Sequence, residues 1–444
     1  MKKAYLFALA LLGSAGTLLA QNVASRAAQS TNDDATPVIL RRSCAADDVL
    51  RAQIAADPAL ARRMEAIEAQ TQRFVAARAA AHRNSGGATG GTTTGTSSAL
   101  SGTVTIPVVV HVLYNTAAEN ISDAQVQTQI DVLNEDFQKL NADANKTYPY
   151  SGLAAATPVR FVLAPGGIVH KFTKTRSWST NDAVKNSKRG GDDAWDATKY
   201  LNLWSCNLGQ GLLGYAQFPG GAPATDGVVI LYSAFGSRAK MPAGTTGTFT
   251  TTYDLGRTAT HEVGHWMNLR HIWGDDGGAC TGSDQVADTP NQGAENYGCP
   301  AAGKSSCTNA ATGGDMFMNY MDYTDDKCMF MFSRGQATRM TAVFDAGGAR
   351  SSFAVASGVL RQTAAVAPTT VYPNPGRDAV SLTLPAGTDA ARYAVRVYDM
   401  SGHEMTQARY NGQGTLQTSA LPKGLYYISI SDGVNTSRQR FEKE

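Results

Sequence analysis

Charge of one sign is what this chain most lacks: 39 basic residues stand against 37 acidic ones, a net charge of +2. No strong field exists to draw in a polyanion, which excludes nucleic-acid binding as the working function. Long apolar runs are scarce as well. The run from Ala4 to Leu12 follows Lys2 and Lys3, is broken by Gly13, Ser14 and Gly16, and leads to small residues before Ala20 and Gln21. It is too short to anchor in a hydrocarbon core of about 30 Å and reads as a signal peptide over residues 1–20. With no later stretch of spanning length, an exported protein with no stable membrane span is expected. Cysteines number only six, and the close Cys-x-x-Cys pairs of a zinc ribbon are absent. Cys44 and Cys206 stand alone. Cys280, Cys299, Cys307 and Cys328 crowd into one loop-rich segment, where export makes two disulfides the expectation; spacing does not choose among their three pairings.

What is present suggests several cores, since 444 residues exceed one compact domain and 44 glycines imply many turns. Residues 45–83 carry Leu50, Ile54, Leu60, Met64, Ile67 and Phe74 at helical spacing. The Gly/Thr/Ser tract from Ser85 to Ser98 cannot bury enough surface to order itself. Residues 21–100 therefore read as a helical pro-segment and its linker. From 101 to 350 strands alternate with helices. Thr103 to Tyr114 reads as a strand buried on both faces, Ser122 caps a helix from Asp123 to Leu140, and Val159 to Leu163, Tyr200 to Cys206 and Val228 to Tyr232 read as further strands. A helix from Gly256 to Asn268 comes next, so this region is expected to be α/β with a mixed sheet. After a linker over 351–368, short alternating strands with turn signals over 369–444 predict a small antiparallel β-sandwich.

The chemistry lies in HEVGHWMNLRHIWGD, which starts at His261. A helix turns once per 3.6 residues, so His261 and His265 project from one face a turn apart and can share an ion, with Glu262 beside them. His271 supplies a third imidazole if the helix stops and the chain turns back. Asn268 suits that turn, because asparagine tolerates the left-handed conformation best among residues with a side chain beyond glycine. Three imidazoles suit one catalytic zinc, with one position left for a water whose proton Glu262 accepts and passes to the departing amine.

These residues resemble the metzincin clan of zinc metalloproteases and, within it, the pappalysin family in its cytophagalysin- and ulilysin-like branch. The likeness runs from about Gly102 to Phe344 and also rests on IPVVVHVLYN at Ile106, LNLWSCNLGQGLLGYAQFPG at Leu201, VADTP at Val286 and FMNYMDYTDDKCMFMFSRGQ at Phe317. The family pattern has glycine where this chain has Asn268. The resemblance implies a mixed twisted sheet with an active-site helix, an α+β metzincin domain. It implies Met321 in a tight turn beneath the metal, against the competing reading of plain core packing. Tyr323 is implied to stabilise the tetrahedral intermediate. The disulfides are implied to be Cys280 to Cys307 and Cys299 to Cys328, leaving Cys206 as a core residue. Asp326 is implied to favour Arg or Lys just after the cut, with Asp325 beside it as the competing choice. Cys44, in RRSC, is implied to act as a latency ligand of a zymogen, against the alternative of an incidental free thiol. Structural Ca²⁺ is implied near the pocket, and the loop offering Asp275, Asp276, Asp284 and Asp288 has suitable oxygens.

VYPNP at Val371 and LPKGLYYISI at Leu421 resemble sorting domains for type IX secretion, which makes that machinery a partner beside protein and peptide substrates and places the product outside the cell or on its surface. The function expected is a secreted zinc-dependent endopeptidase. A rival from another class is an exported surface binding protein or adhesin with an inactive protease-like domain, and the intact Glu262 weighs against it. A gluzincin with a later glutamate ligand is the rival among enzymes.

Overall fold

The helical stretch near the N-terminus is two helices, because Asp57 and Pro58 interrupt it. Helix α1 spans Ala46–Ala56 and α2 spans Ala59–Ser85. Proline lacks the N–H that would continue the first ladder, and the Asp57 carboxylate restarts the second by accepting from the Ala59 amide at 3.0 Å. The computed structural model describes residues 41–85, 100, 102–275, 277–308, 313–359, 370–384, 390–431 and 436–444. The expected signal peptide and nearly all of the Gly/Thr/Ser tract lie outside the described residues.

Strand β1, Val104–Tyr114, is the spine of the next region. It is followed by α3 (Asp123–Phe137), β2 (Val159–Phe172), β3 (Leu201–Cys206), β4 (Gly214–Ala216) and β5 (Val228–Leu231). The sheet order is β2-β1-β3-β5-β4. β1 pairs parallel with β2 and β3, and β3 with β5, while β4 runs antiparallel on the β5 edge. Parallel strands covered on both faces read as continuous apolar runs, and Val108, Val110, Leu203 and Ile230 are fully buried. The strand expected at Val159 to Leu163 continues to Phe172 because the register jumps where Val108 pairs with Leu163 and Val110 with Ile168. Pro165, Gly166 and Gly167 bulge out there and mask the continuation in sequence. Helix α3 ends at Phe137 rather than Leu140; Lys139, at φ 55°, cannot extend it. Its start is held as expected, with Ser122 Oγ accepting from the Gln125 amide at 3.2 Å.

Helices α4 (Arg257–Trp266), α5 (Arg334–Ala342) and α6 (Ser351–Ala356) complete this region. The linker expected from residue 351 is corrected by α6. Phe353 is 1% exposed and sets its ring edge against Trp266 and Phe344, and Ser357 Oγ accepts from the Thr105 amide at 2.8 Å. Residues 351–359 thus belong to the packed domain, and residues 360–369 lie outside the described residues.

The C-terminal region holds β6 (Val371–Tyr372), β7 (Ala379–Leu382), β8 (Ala394–Asp399), β9 (Arg409–Tyr410), β10 (Thr415–Gln417), β11 (Gly424–Ser431) and β12 (Thr436–Lys443). They form two antiparallel sheets, β6-β7-β10-β9 and β12-β11-β8. Val380, Leu416, Ile428, Ile430 and Phe441 make their common core. Among the described residues no helix is long and apolar enough to cross a membrane.

If α6 is integral to the domain, Phe353→Ala should destabilise it by about 3–5 kcal/mol. Tyr372→Ala, at a ring 74% exposed, should change stability by less than about 0.5 kcal/mol. Urea unfolding of the two variants checks the contrast; equal midpoints would show that α6 is only draped on the surface.

Candidate metal centre

Every residue of α4 is buried, so its polar side chains must find partners within the protein. His261 Nδ1 lies 2.7 Å from the Tyr320 carbonyl and His265 Nδ1 2.8 Å from the Leu269 carbonyl. Both acceptors lack protons, so each Nδ1 carries the hydrogen and each Nε2 a lone pair. His271 is set the same way by Asp275, whose Oδ1 lies 2.8 Å from its Nδ1. The three Nε2 atoms then face one another: His265 Nε2 is 3.1 Å from that of His261 and 3.1 Å from that of His271. Lone pairs at this distance repel unless a cation lies between them. Nitrogens about 2.0–2.1 Å from a shared tetrahedral zinc sit roughly 3.3 Å apart, so the donor set and its spacing fit that ion. Burial holds the His265 imidazole down to about 3 and that of His261 well below the usual range, which keeps both neutral as ligands must be.

The return from His265 to His271 is made as expected by Asn268, at φ 72°. The Leu269 amide closes the helix end by donating to the Gly264 carbonyl at 2.9 Å. Met321 is fully buried below the helix. A β-carbon at Gly264 would stand 2.5 Å from its Sδ, so the glycine inside the motif is what lets the methionine turn approach.

Glu262 is 1% exposed, and burial pushes its carboxyl up to about 8. Its Oε2 accepts from Cys44 Sγ at 3.3 Å. Cys44 arrives on an extended segment beside β4: the Leu213 amide donates to the Ser43 carbonyl at 2.9 Å and the Ala45 amide to the Gly214 carbonyl at 3.1 Å. A side chain at Gly214 would collide with Glu262, 2.8 Å from the nearest atom. The ligand atoms of Cys44, His261, His265 and His271 all lie within 4.8 Å of one another, the one such group among the described residues. The Tyr323 hydroxyl accepts from the Cys44 amide at 3.2 Å and lies 3.2 Å from His271 Nε2. Burial, with Cys44 and Glu262 nearby, raises its phenol well above the usual range.

Asp326 is fully buried. Its Oδ1 accepts from Arg42 Nη2 at 2.5 Å and its Oδ2 from the Leu255 and Arg257 amides at 2.9 and 3.3 Å. Arg42, 1% exposed, also donates to the Thr324 carbonyl at 3.3 Å. Asp325 takes no part in that pair. Disulfides join Cys280 to Cys307 and Cys299 to Cys328, while Cys206 is buried and free. The loop aspartates do not gather around one point among the described residues. Asp275 serves His271, Asp284 accepts from Thr289 and the Val286 amide, and Asp288 from Ser333 and the Gly335 amide; Asp276 lies outside the described residues.

Sequence reading did not single out Arg42, Gly214 or Gly264, and it took Asp275 for an ion-binding loop residue. Asp275 stands four residues past His271, a spacing that signals a carboxylate orienting an imidazole. The double arginine before Cys44 was the signal for Arg42.

Residues 184–345 match the family model described as pregnancy-associated plasma protein-A, a peptidase family, and residues 370–444 match a secretion system C-terminal sorting domain. An extracellular metalloprotease of Arthroderma otae is 33% identical over 247 residues, covering 55% of this chain and 78% of the relative. Extracellular metalloprotease 1 of Coccidioides posadasii is 34% identical over 252 residues, covering 53% and 74%. Among solved structures, a point mutant of Tannerella forsythia promirolysin is 43% identical at a TM-score of 0.61, covering 72% of this chain and 99% of that one. Mature mirolysin of the same organism, in complex with a cleaved peptide, is 50% identical at a TM-score of 0.55, covering 59% and 98%.

Adding zinc to chelator-treated protein should raise the unfolding free energy by roughly 4 kcal/mol at a thousandfold excess over Kd. His271→Ala should show little of that gain. Calorimetric titration read beside thermal melts decides it, and an equal gain in the variant would move the ion elsewhere.

Proposed function

The chain belongs to the pregnancy-associated plasma protein-A family and is a secreted zinc metalloendopeptidase made as a zymogen; we propose that His261, His265 and His271 hold its zinc and that Glu262 is its general base. The observation that carries this reading is the meeting of three Nε2 lone pairs beside a buried carboxylate. When bound, zinc polarises the scissile carbonyl and acidifies the attacking water. Glu262 takes a proton from that water as its oxygen bonds to the carbonyl carbon, then delivers the proton to the amine as the C–N bond breaks. The Tyr323 hydroxyl, beside His271, donates to the oxyanion. Met321 fills the space beneath the imidazoles and fixes the floor of the site.

Two parts of the reading concern how the site is closed and what it selects. Cys44 Sγ faces the metal position and Glu262 together, so the same residue that would ligate zinc as a thiolate also covers the base. We read it as the latency ligand of the pro-segment, which residues 21–100 comprise. Arg42, two residues earlier, supports a preference of Asp326 for cations, since its guanidinium pairs with Oδ1 in a site closed to solvent. Once the pro-segment leaves, that oxygen is available to an Arg or Lys side chain following the cut, while the Leu255 and Arg257 amides keep the carboxylate aimed. The family likeness and the oxygen-rich composition of the loop after His271 support structural Ca²⁺ as a further part of this reading. The matched sorting domain supports type IX export of the chain.

A peptide-library digest tests this reading. Processed wild type should cut before Arg and Lys. Glu262→Gln should keep its zinc yet lose about 10²–10⁴-fold in kcat/KM, and Asp326→Asn should lose roughly 10–100-fold of its preference for basic residues while still cutting others. Full activity in Glu262→Gln would refute the assignment of the base.

Latency has its own check. Unprocessed Cys44→Ala should cleave a short fluorogenic peptide measurably faster than unprocessed wild type, with Arg42→Ala adding to the gain. A Cys44→Ala chain as silent as wild type would remove the thiol from the mechanism.

A further inference from the structure

We propose that Arg339 is a positioning residue of the metal centre, acting through the backbone of the turn between His265 and His271. The proposal rests on the reading that these histidines hold zinc. Helix α5, which carries Arg339, makes no contact with a reacting group, yet it grips both loops that frame the imidazoles. At its first turn Ser333 and Gln336 form a capping box. Gln336 then pairs with the Asn319 amide in both directions, at 2.7 and 3.0 Å, and Asn319 Oδ1 accepts from the Met321 amide at 2.9 Å. The helix start thereby holds the methionine turn.

One turn further on, Arg339 holds the other loop. It is 1% exposed, and its Nε donates to the Asn268 carbonyl at 2.8 Å. Asn268 sits at φ 72°, where a residue with a β-carbon is less at ease than glycine. The next residue, Leu269, supplies the carbonyl that orients the His265 ring, and two residues after that comes His271. If the Asn268 peptide rotates, the acceptor for His265 and the approach of His271 move together. A buried guanidinium on that carbonyl makes such a rotation costly, since it would leave a charged donor without its acceptor.

The outer edge of the same guanidinium meets the pro-segment. Glu68 on α2 accepts from Nη1 at 2.8 Å and from Nη2 at 2.5 Å, a two-pronged pair. Gln70 on the same helix donates to the Ala342 carbonyl at the end of α5. In the full chain Arg339 therefore ties the pro-segment and the metal loop to one point. In the processed enzyme the inner bond through Nε is the part that remains.

The test follows zinc rather than catalysis. Secreted, processed protein is loaded with zinc, and transfer of the ion to an excess of a chromophoric chelator is timed for wild type, Arg339→Gln and the double variant Arg339→Gln/Asn268→Gly. Arg339→Gln should release zinc at least tenfold faster. Glycine needs no help at a positive φ, so the double variant should recover most of the lost retention; cobalt-substituted samples should show a visible spectrum displaced in the single variant and restored in the double. A purely packing role for Arg339 would not be rescued at residue 268. Release from Arg339→Gln within twofold of wild type, or from the double variant as fast as from the single, overturns the proposal. Should Arg339→Gln fail to fold, Arg339→Lys is measured instead, with at least threefold faster release expected and release within twofold of wild type overturning it. A wild-type chain that binds no zinc sinks the reading of the site itself, whereas retention equal in wild type and Arg339→Gln sinks this proposal alone.

Discussion

Three imidazole nitrogens with their lone pairs turned toward one point are the constraint around which the rest of this domain is arranged. Such a meeting is unfavourable without a cation, so the fold must hold each ring against repulsion by its far edge. It does so with acceptors from three different places: the Tyr320 carbonyl in the methionine turn, the Leu269 carbonyl just past the helix, and the Asp275 carboxylate in the following loop. Each acceptor fixes a tautomer as well as an orientation. The glycines nearby answer the same need. Gly264 lets Met321 reach the helix, and Gly214 leaves room for Glu262 beside the edge strand.

The pro-segment uses this arrangement rather than merely lying over it. Cys44 brings a sulfur to the point where the imidazoles converge, and its backbone extends the sheet at β4. Arg42 pairs with Asp326 and offsets part of the burial that pushes this carboxyl upward. An aspartate with no exposed surface is a costly thing to leave unpaired. That cost gives the pairing of Asp326 with the basic residue before Cys44 its physical sense: a buried charge met by a guanidinium gives the pro-segment a firm hold. Farther back, α2 reaches Arg339, so the segment grips the domain both at the cleft and behind it.

Much of this was legible from residues close in sequence. His261, Glu262 and His265 share a helical turn, His271 comes within one short reversal, and Asn268 is the residue type such a reversal needs. The parallel strands showed themselves as apolar runs because both their faces are covered. What stayed hidden depended on long-range pairing or on short, irregular elements. Arg42 and Asp326 are 284 positions apart, and no local pattern joins them. The second half of β2 lay behind a bulge, β4 has only three residues, and α6 is too brief for periodicity to reveal. Asp275 was visible but misassigned, since a loop aspartate reads equally well as an ion ligand until its partner is known.

The division between the two kinds of residue has a physical basis. Ligands and base must lie within a few ångströms of one ion, and a single helix with its return loop can supply them all, which leaves a dense signature in one stretch of chain. Positioning groups work on the backbone of that stretch from outside, so they are drawn from whichever element packs against it. Here α5 supplies Gln336 for the methionine turn and Arg339 for the Asn268 turn, at the spacing of one helical turn. A helix whose sequence offers only a capping signal thereby sets the separation of the two loops that carry the acceptors for His261 and His265. The precision of the centre resides in that second layer as much as in the histidines, because a ligand set is only as rigid as the carbonyls that aim it.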